Sequence, residues 1–287
     1  MLKTPDFLKK NDLVLAINPS GKVRAKAFMR GCNWIETHGF HVEVGMHALS
    51  EHFKFAGTHK ERLQDLQWAL DHPKAKAVFC GRGGFGITHI LDELDWTAFD
   101  AKPKWLIGYS DITALHHAIL KRGFCSIHGP VLQNLEMHDE ADKQALLAIL
   151  SGENRSIDIA QPRSNKTSVS GEIIGGNLSM ILNQLSTPAE IDFTDKVLFI
   201  EEVGEYLYQV DRMLLQLKRS GKMSRLKALI VGEFVGMKES VKTYGKDVAG
   251  LMEYHFGQYG YPIIRDFPAG HGERNQPFIH GGAINID

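Results

Sequence analysis

Residues 104–122 read KWLIGYSDITALHHAILKR, and this stretch predicts a buried strand that turns directly into a helix. The apolar run WLI ends at Gly108, and isoleucine and leucine then recur at helical spacing. Ser110 stands at the junction, with Asp111 in the first helical turn. Serine is a preferred helix cap, and aspartate suits the positive end of a helix. The same geometry would also place a serine hydroxyl at the carboxyl edge of a sheet, beside N–H groups able to bind an oxyanion. The G-x-S-x-G motif of hydrolases is absent, so the nucleophile needs support from elsewhere in the chain.

Strands and helices alternate around this stretch. Apolar runs predict strands at Leu13–Ile17, His41–Val44, Ala77–Cys80 and residues 125–128, and periodic segments between them predict helices such as residues 22–38 and 61–70. This alternation predicts an α/β domain over residues 1–150 with a parallel sheet covered on both faces. Sites in such sheets lie beyond the carboxyl ends of the strands.

The character of the sequence changes after residue 150. Residues 151–169 are polar and without a clear period, which predicts a linker. Residues 170–287 contain β-rich segments, glycine turns and one strong helix over residues 208–219. We therefore expect a second, smaller domain that is β-rich and barrel-like.

Composition narrows the class of protein. The chain has 287 residues, a formal net charge of −1 and no long run of one sign, so we expect neither a nucleic-acid nor a membrane partner. Its three cysteines are widely spaced, which suggests a reducing compartment. We find no signal peptide and no apolar run of transmembrane length. The cytoplasm is the expected location.

The glycine-rich loop GRGGFG, residues 81–86, follows the third predicted strand. Its glycines would let backbone N–H groups approach a ligand closely. A phosphate cradle, an oxyanion hole and a plain turn all remain open, although the Lys-Ser/Thr of a P-loop is missing. We expect a helix to follow the loop as far as Leu91.

Two further positions could complete a catalytic triad. Glu201 directly follows the apolar run LFI, where a carboxylate can orient a histidine, and Glu202 and Glu205 are its competitors. His271 lies between two glycines in a loop. Three other histidines compete with it for the role of base, namely His116, His117 and His128. Serine, glutamate and histidine at strand ends favour a serine hydrolase, and no metal-ligand spacing is present, so we expect neither metal nor cofactor.

Several motifs together carry a resemblance to a known family. They include NPSG at residues 18–21, RGGFG at 82–86, GYSD at 108–111, GGNL at 175–178, EEVGE at 201–205 and GH at 270–271. With them, the sequence resembles the LD-carboxypeptidases, serine peptidases that include the muramoyltetrapeptide carboxypeptidases and the microcin C immunity peptidases. The resemblance covers nearly the whole chain.

The resemblance implies a set of roles for these residues. It implies a nucleophile at Ser110, a base at His271 and an orienting carboxylate at Glu201. It implies an oxyanion hole from backbone N–H groups of Asp111 and of the turn formed by Gly83 and Gly84. It also implies a flavodoxin-like N-terminal domain, a site between the two domains and a homodimer.

The implied reaction releases terminal D-alanine from a murein tetrapeptide during cell-wall recycling, because residues 203–205 and 211–212 resemble the muropeptide branch. We expect Arg82, in the glycine loop, to bind the free carboxylate of this peptide together with Gly83; a surface arginine or an ion pair between domains is the alternative. The chain stops soon after residues 277–279, so we expect little room there for a further strand.

Two alternative functions remain open. One is a serine peptidase that hydrolyses aminoacyl- or peptidyl-nucleotide conjugates, which an aromatic side chain placed to stack on a base would favour. The other is a non-catalytic module that binds muropeptide, in which Ser110 only caps its helix.

Overall fold

The computed structural model describes residues 2–153 and 168–286. Its strands are β1 (Leu13–Ile17), β2 (His41–Val44), β3 (Ala77–Cys80), β4 (Trp105–Gly108), β5 (Ser126–His128), β6 (Val169–Asn177), β7 (Val197–Val203), β8 (Ala228–Val235), β9 (Ile263–Ile264), β10 (Phe278–His280) and β11 (Ala283–Ile286). Its α-helices are α1 (Ala25–Thr37), α2 (His59–Asp71), α3 (Thr97–Ala101), α4 (Thr113–Lys121), α5 (Glu140–Ser151), α6 (Leu178–Gln184), α7 (Leu207–Arg219) and α8 (Val248–Phe256).

The first sheet has the strand order β10-β5-β4-β3-β1-β2. Strands β1 to β5 run parallel in the flavodoxin-like order 2-1-3-4-5, and β10 joins antiparallel to β5. Strands β3, β4 and β5 are buried at every residue, as expected for a parallel sheet with both faces covered. The predicted α/β fold class is confirmed.

The second sheet has the order β11-β6-β7-β8-β9. Its neighbours from β6 to β9 pair in parallel, and β11 pairs antiparallel with β6. Helices α6, α7 and α8 pack on one face around an apolar core that includes Leu198, Leu214 and Leu251. This smaller, β-rich unit is the barrel-like second domain that the sequence predicts.

Two expectations about helices need correction. The helix expected from the glycine loop to Leu91 is replaced by two short 3-10 turns, Ile87–His89 and Leu91–Glu93. The Asp111 carboxylate accepts from the N–H of Ile87, and this bond fixes the start of the first turn. Helix α1 begins at Ala25 instead of residue 22, because the N–H of Lys22 bonds to Lys54 and that of Arg24 to the Gln133 side chain.

The last segment of the chain also differs from expectation. The sequence predicts little room for a strand after residues 277–279, yet β11 lies there, directly after β10. They are short, at three and four residues, and each completes the edge of a different sheet. The predicted linker lies between the end of α5 and the start of β6, and residues 154–167 of it lie outside the described residues. Among the described residues, no helix has the length and apolar character needed to span a membrane.

Candidate active site

Ser110 lies at the carboxyl end of β4, in the short 3-10 turn Ser110–Ile112 that leads into α4. Its φ is +66°, in the left-handed region that non-glycine residues rarely adopt. The interpretation of Ser110 as a capping residue is wrong: Tyr109 occupies the N-cap position of the turn, and no side chain caps it. The strained conformation instead directs the hydroxyl away from the helix and towards the second domain.

The Ser110 hydroxyl is within hydrogen-bond distance of His271 in the second domain, and His271 is in turn bonded to Glu201. Its Oγ lies 3.0 Å from Nε2 of His271, and Nδ1 of the same ring lies 2.6 Å from Oε2 of Glu201. Glu201 is fully buried in β7, and His271 lies on the loop between β9 and β10. The structure therefore brings together the three residues that the sequence selects, as a serine, an imidazole and a carboxylate in one hydrogen-bonded chain.

Three carboxylates lie near the imidazole of His271. Burial by itself lowers its pKa, but the hydrogen bond and charge of Glu201, with the charges of Glu202 and Glu233, outweigh burial and raise the pKa above the ordinary 6.5. Burial raises the pKa of Glu201, against the lowering effect of the same hydrogen bond. A base with a raised pKa accepts a proton readily, which suits the activation of a serine hydroxyl.

Tyr109 is a site residue that the sequence analysis missed. Its ring lies 4.9 Å from the His271 ring, centroid to centroid, and its hydroxyl accepts a 3.3 Å hydrogen bond from Asn134. Tyr109 therefore contacts the imidazole directly, and Asn134 holds the Tyr109 hydroxyl. The signal that could have found Tyr109 is its position immediately before the nucleophile.

The glycine loop lies directly against Ser110. A Cβ on Gly83 would lie 2.7 Å from the Ser110 Cβ and 3.0 Å from its Oγ, so only glycine fits there. Gly84 has a φ of +103°, and the Gly21 N–H donates to the Gly83 carbonyl at 2.9 Å. The loop is thus fixed by the turn after β1 and presents its backbone to the nucleophile.

Arg82 lies in the same loop with an exposed side chain, and its Nη1 donates to the Lys22 carbonyl at 2.8 Å. Beside the triad is a cavity of about 510 Å³, which we call the Tyr109 cavity. Tyr109, Asn134, His138, His271, Glu273 and Arg274 are among its lining residues.

The side chain of Asp111 connects neighbouring loops of the site. It is buried and accepts hydrogen bonds from the Ser20 hydroxyl and from the Ile87 N–H, the latter at 3.0 Å. Nearby, Nη1 of Arg62 donates to the carbonyls of Pro19 and Gly86. These bonds join the loops that follow β1, β3 and β4 at one edge of the sheet.

The competing carboxylates lie outside the triad. Both carboxylate oxygens of Glu202 accept hydrogen bonds, from Asn177, from the N–H and hydroxyl of Ser179 and from the Val203 N–H, which anchors the start of α6. Glu205 lies in the partly exposed turn after β7.

The competing histidines are buried and belong to the interior. His116 bonds to Ser126 and to the Gly108 carbonyl, and burial lowers its pKa to about 4. Burial also lowers the pKa of His117, to about 3, and that of His128. Within residues 2–153 and 168–286, no group of three or more His, Cys, Asp or Glu side chains is arranged to hold a metal ion.

Comparison with known proteins shows the family of the chain. Residues 14–129 match the LD-carboxypeptidase N-terminal domain, and residues 170–286 match the LD-carboxypeptidase C-terminal domain. The chain belongs to the LD-carboxypeptidase family. A murein tetrapeptide carboxypeptidase of Pseudomonas aeruginosa is 32% identical over 93% of this chain and 91% of its own length.

Solved structures of two kinds share the LD-carboxypeptidase fold. The muramoyltetrapeptide carboxypeptidase of Oxalobacter formigenes superimposes with a TM-score of 0.86 at 28% identity, over 96% of this chain and 95% of its own. The microcin C7 self immunity protein MccF superimposes with a TM-score of 0.88 at 21% identity, over 100% of this chain and 96% of its own, a likeness of fold alone.

Proposed function

We propose that this carboxypeptidase is a serine enzyme that cleaves an LD-peptide bond and releases terminal D-alanine from murein tetrapeptides, as part of cell-wall recycling. The observation that carries the proposal is the hydrogen-bonded chain from Ser110 Oγ through His271 to Glu201. The relative at 32% identity is named a murein tetrapeptide carboxypeptidase, which supports the choice of substrate.

The geometry suggests how the reaction begins. Nε2 of His271 takes the proton of Ser110 Oγ as the oxygen attacks the carbonyl carbon that precedes D-alanine. Glu201, bonded to Nδ1, fixes the tautomer that leaves Nε2 free to accept this proton and stabilises the imidazolium that forms. Tyr109 holds the same ring against sideways movement.

The tetrahedral intermediate needs donors for its oxyanion. We assign this role to the backbone N–H groups of Gly84 and Asp111, because the glycine loop packs against Ser110 and Asp111 begins the turn towards α4. His271 then gives its proton to the amine of D-alanine, the C–N bond breaks, and an acyl-enzyme on Ser110 remains. Water, activated by the same imidazole, hydrolyses this ester.

The positions of the tryptophans argue against nucleotide conjugates as the preferred substrates. Stacking of a base requires an exposed aromatic face beside the triad. Trp34, Trp68, Trp96 and Trp105 are absent from the lining of the Tyr109 cavity, and Trp105 is buried in β4. The ring of Tyr109 is already in contact with His271.

The test is mass spectrometry of the protein after incubation with a disaccharide-tetrapeptide, beside the Ser110→Ala variant. We expect the wild type to remove one D-alanine and the variant to remove none, because Ser110 supplies the hydroxyl that bonds to His271. Removal by both proteins would contradict Ser110 as the nucleophile. If neither removes D-alanine, an aminoacyl-nucleotide is the next substrate to offer, and binding without turnover of either would indicate a non-catalytic module. The homodimer that the family implies stays a prediction, for which sedimentation is the check.

A further inference from the structure

The segment over residues 268–276, which we call the His271 loop, passes from the second domain to the first. Near its start, the carbonyl of Ala269 accepts a 3.0 Å hydrogen bond from a backbone N–H of β8. Directly after it, β10 pairs with β5 of the first sheet. The triad spans the same boundary, because Glu201 lies in β7 and Ser110 follows β4. The position of the loop between its two anchors therefore decides whether the imidazole reaches the hydroxyl.

Two hydrogen bonds close the loop on itself. The N–H of Gln276 donates to the Pro268 carbonyl at 2.8 Å, and the N–H of Gly270 donates to Oδ1 of Asn275 at 3.2 Å. Asn275 is fully buried, so water does not compete for the second of these bonds. Because the two sides of the loop are joined, a group that holds one side also fixes the side that carries the imidazole.

Asp142 ties the closed loop to the first domain. Its carboxylate is fully buried and accepts hydrogen bonds from two neighbouring residues of the loop. Nε of Arg274 lies 3.0 Å from both carboxylate oxygens, Nη2 of Arg274 lies 2.7 Å from Oδ1, and the backbone nitrogen of Asn275 lies 2.9 Å from Oδ2. Charge-assisted bonds from a forked guanidinium fix direction as well as distance.

Asp142 is itself held in place by its helix. It lies in the first turn of α5, and Leu146 and Leu150, further along the same face, are buried in the core of the first sheet. The cap of α5 is Asp139, whose side chain accepts from the N–H of Ala141 at 2.8 Å. The helix therefore does not need the Asp142 carboxylate as its cap, which leaves that carboxylate to anchor the loop.

We propose that Asp142 is a positioning residue: it sets the distance between Nε2 of His271 and Oγ of Ser110 by holding the His271 loop against the first domain. This inference rests on the proposed function, in which a proton crosses that distance. Glu201 belongs to the same domain as the loop and keeps its bond to the imidazole when the loop moves, whereas Ser110 does not. Loss of the Asp142 anchor should therefore lengthen the serine contact of His271 and leave its glutamate contact intact.

The first experiment measures kcat, KM and the pH profile of tetrapeptide hydrolysis by Asp142→Asn, which keeps the shape of the side chain and removes its charge. We expect kcat per folded protein to fall about 100-fold with KM within about three-fold of the wild type, as for a base misplaced by about 1 Å. The acid limb of kcat/KM should stay at the wild-type pH, because Glu201 still bonds to the imidazole. An unchanged kcat in the folded variant, a rise of KM in place of the fall of kcat, or a displaced acid limb would overturn the inference.

The matched control is Glu140→Gln, which removes a carboxylate from the same turn of α5. Glu140 is exposed and pairs with Lys143 of its own helix. We expect this variant to keep the kcat and KM of the wild type, because an exposed pair contributes little and does not hold the loop. A loss of kcat equal to that of Asp142→Asn would overturn the inference, since the charge of α5 would then matter and not the anchor.

Arg274→Lys keeps the inference open to test if Asp142→Asn does not fold. Lysine retains the charge but cannot span both oxygens of Asp142, while the N–H of Asn275 still donates to Oδ2. We expect kcat to fall about ten-fold, less than in Asp142→Asn, with KM nearly unchanged. A wild-type kcat in this variant would overturn the inference.

The second experiment does not depend on hydrolysis. NMR spectra of isotope-labelled histidine side chains are compared with and without Ser110→Ala, in the wild type and in Asp142→Asn, with the His271 signals assigned from His271→Gln. Because Oγ of Ser110 lies 3.0 Å from Nε2, Ser110→Ala should shift the Nε2 signal in the wild type, and most of this shift should be absent in Asp142→Asn.

That result would support the inference even if the wild type released no D-alanine, an outcome that would count against the proposed function alone. A shift of equal size in Asp142→Asn would overturn the inference, because the serine contact would then be independent of the anchor. The absence of any shift in the wild type would overturn it as well.

Discussion

At the scale of single residues, the backbone of Ser110 explains how the proposed nucleophile is presented without the G-x-S-x-G motif. A serine with left-handed backbone dihedrals carries a conformational strain of about 1–3 kcal/mol. The space beside such a residue must be nearly empty. In the G-x-S-x-G turn, the glycines two residues before and after the serine provide that space. Here Gly83, which follows a different strand, provides it, because a side chain there would meet Ser110 at 2.7 Å.

If His271 is the base, as we propose, its protonation sets the pH dependence of the reaction. The base must be neutral, so activity is lost as pH falls through the pKa of His271, which Glu201 raises above 6.5. We expect the acid limb of kcat/KM to lie above 6.5. Glu201→Gln removes the largest raising contributions, so the limb should move to lower pH while kcat falls by about 10³–10⁴-fold, since the tautomer is no longer fixed. An unchanged limb in this variant would mean that another group titrates.

Arg82 is the residue that we expect to bind the carboxylate of terminal D-alanine. Its exposed side chain lies in the loop that faces the nucleophile and is held by one bond to the Lys22 carbonyl. Arg82→Ala should raise KM about ten-fold or more for the free acid, because a charge-assisted contact is lost. The matched comparison is the tetrapeptide with an amidated C-terminus, which the variant should treat almost as the wild type does. Equal losses for acid and amide would contradict the assignment.

At the scale of elements, Asp111 joins the three loops that form the floor of the site. Its carboxylate accepts from Ser20, after β1, and from Ile87, after β3, while its own residue follows β4. Asp111→Ala leaves both donors without their partner in a buried place, and each orphaned donor costs about 1–3 kcal/mol. We expect the free energy of unfolding to fall by about 2–5 kcal/mol in denaturant titration. A loss of activity at unchanged stability would indicate a direct chemical role instead.

The triad positions can be predicted from the sequence. The bonds of Asp111 and the last two strands cannot, because they depend on contacts between residues that are distant in sequence. Ser110, Glu201 and His271 each follow an apolar strand signal, which predicts positions at the carboxyl ends of strands. Local pattern does not show that residues of two different sheets meet at the triad. Local pattern could not reveal that Asp111 bonds across two other loops, because its partners are 91 and 24 residues away. The strands β10 and β11 were missed for the same reason, since short strands are stabilised by neighbours that are distant in sequence.

At the scale of the whole molecule, a layer of buried histidines lies where the two sheets meet. His116 and His117 of α4 stack against His280 of β10, and the ring of His128 in β5 stacks on Phe278 at 4.8 Å. Neither ring nitrogen of His128 bonds to any described group. Burial lowers the pKa of all four, so the folded protein holds them neutral at pH 7.

These histidines should make stability depend on pH. Their pKa values are depressed in the folded state, so the unfolded chain binds more protons below about 6.5, and stability falls as pH decreases from there. Each buried histidine contributes about 1.4 kcal/mol per pH unit to this loss once its unfolded form is protonated. His128→Leu should reduce the slope of unfolding free energy against pH, measured between pH 7 and 5, by about that amount. An unchanged slope would mean that His128 remains able to take a proton in the folded protein.

The antiparallel pairing of β10 with β5 also has a consequence for how the protein is made. His128 and Phe278 are partners in the ladder although 150 residues separate them (278 minus 128). At about 5–20 residues per second, a ribosome needs roughly 8–30 s to add that length. An N-terminal sheet that forms during this time has β5 as an open edge, which can pair with another chain. The edge of β5 is therefore covered only after almost the whole chain has been made, when β10 pairs with it.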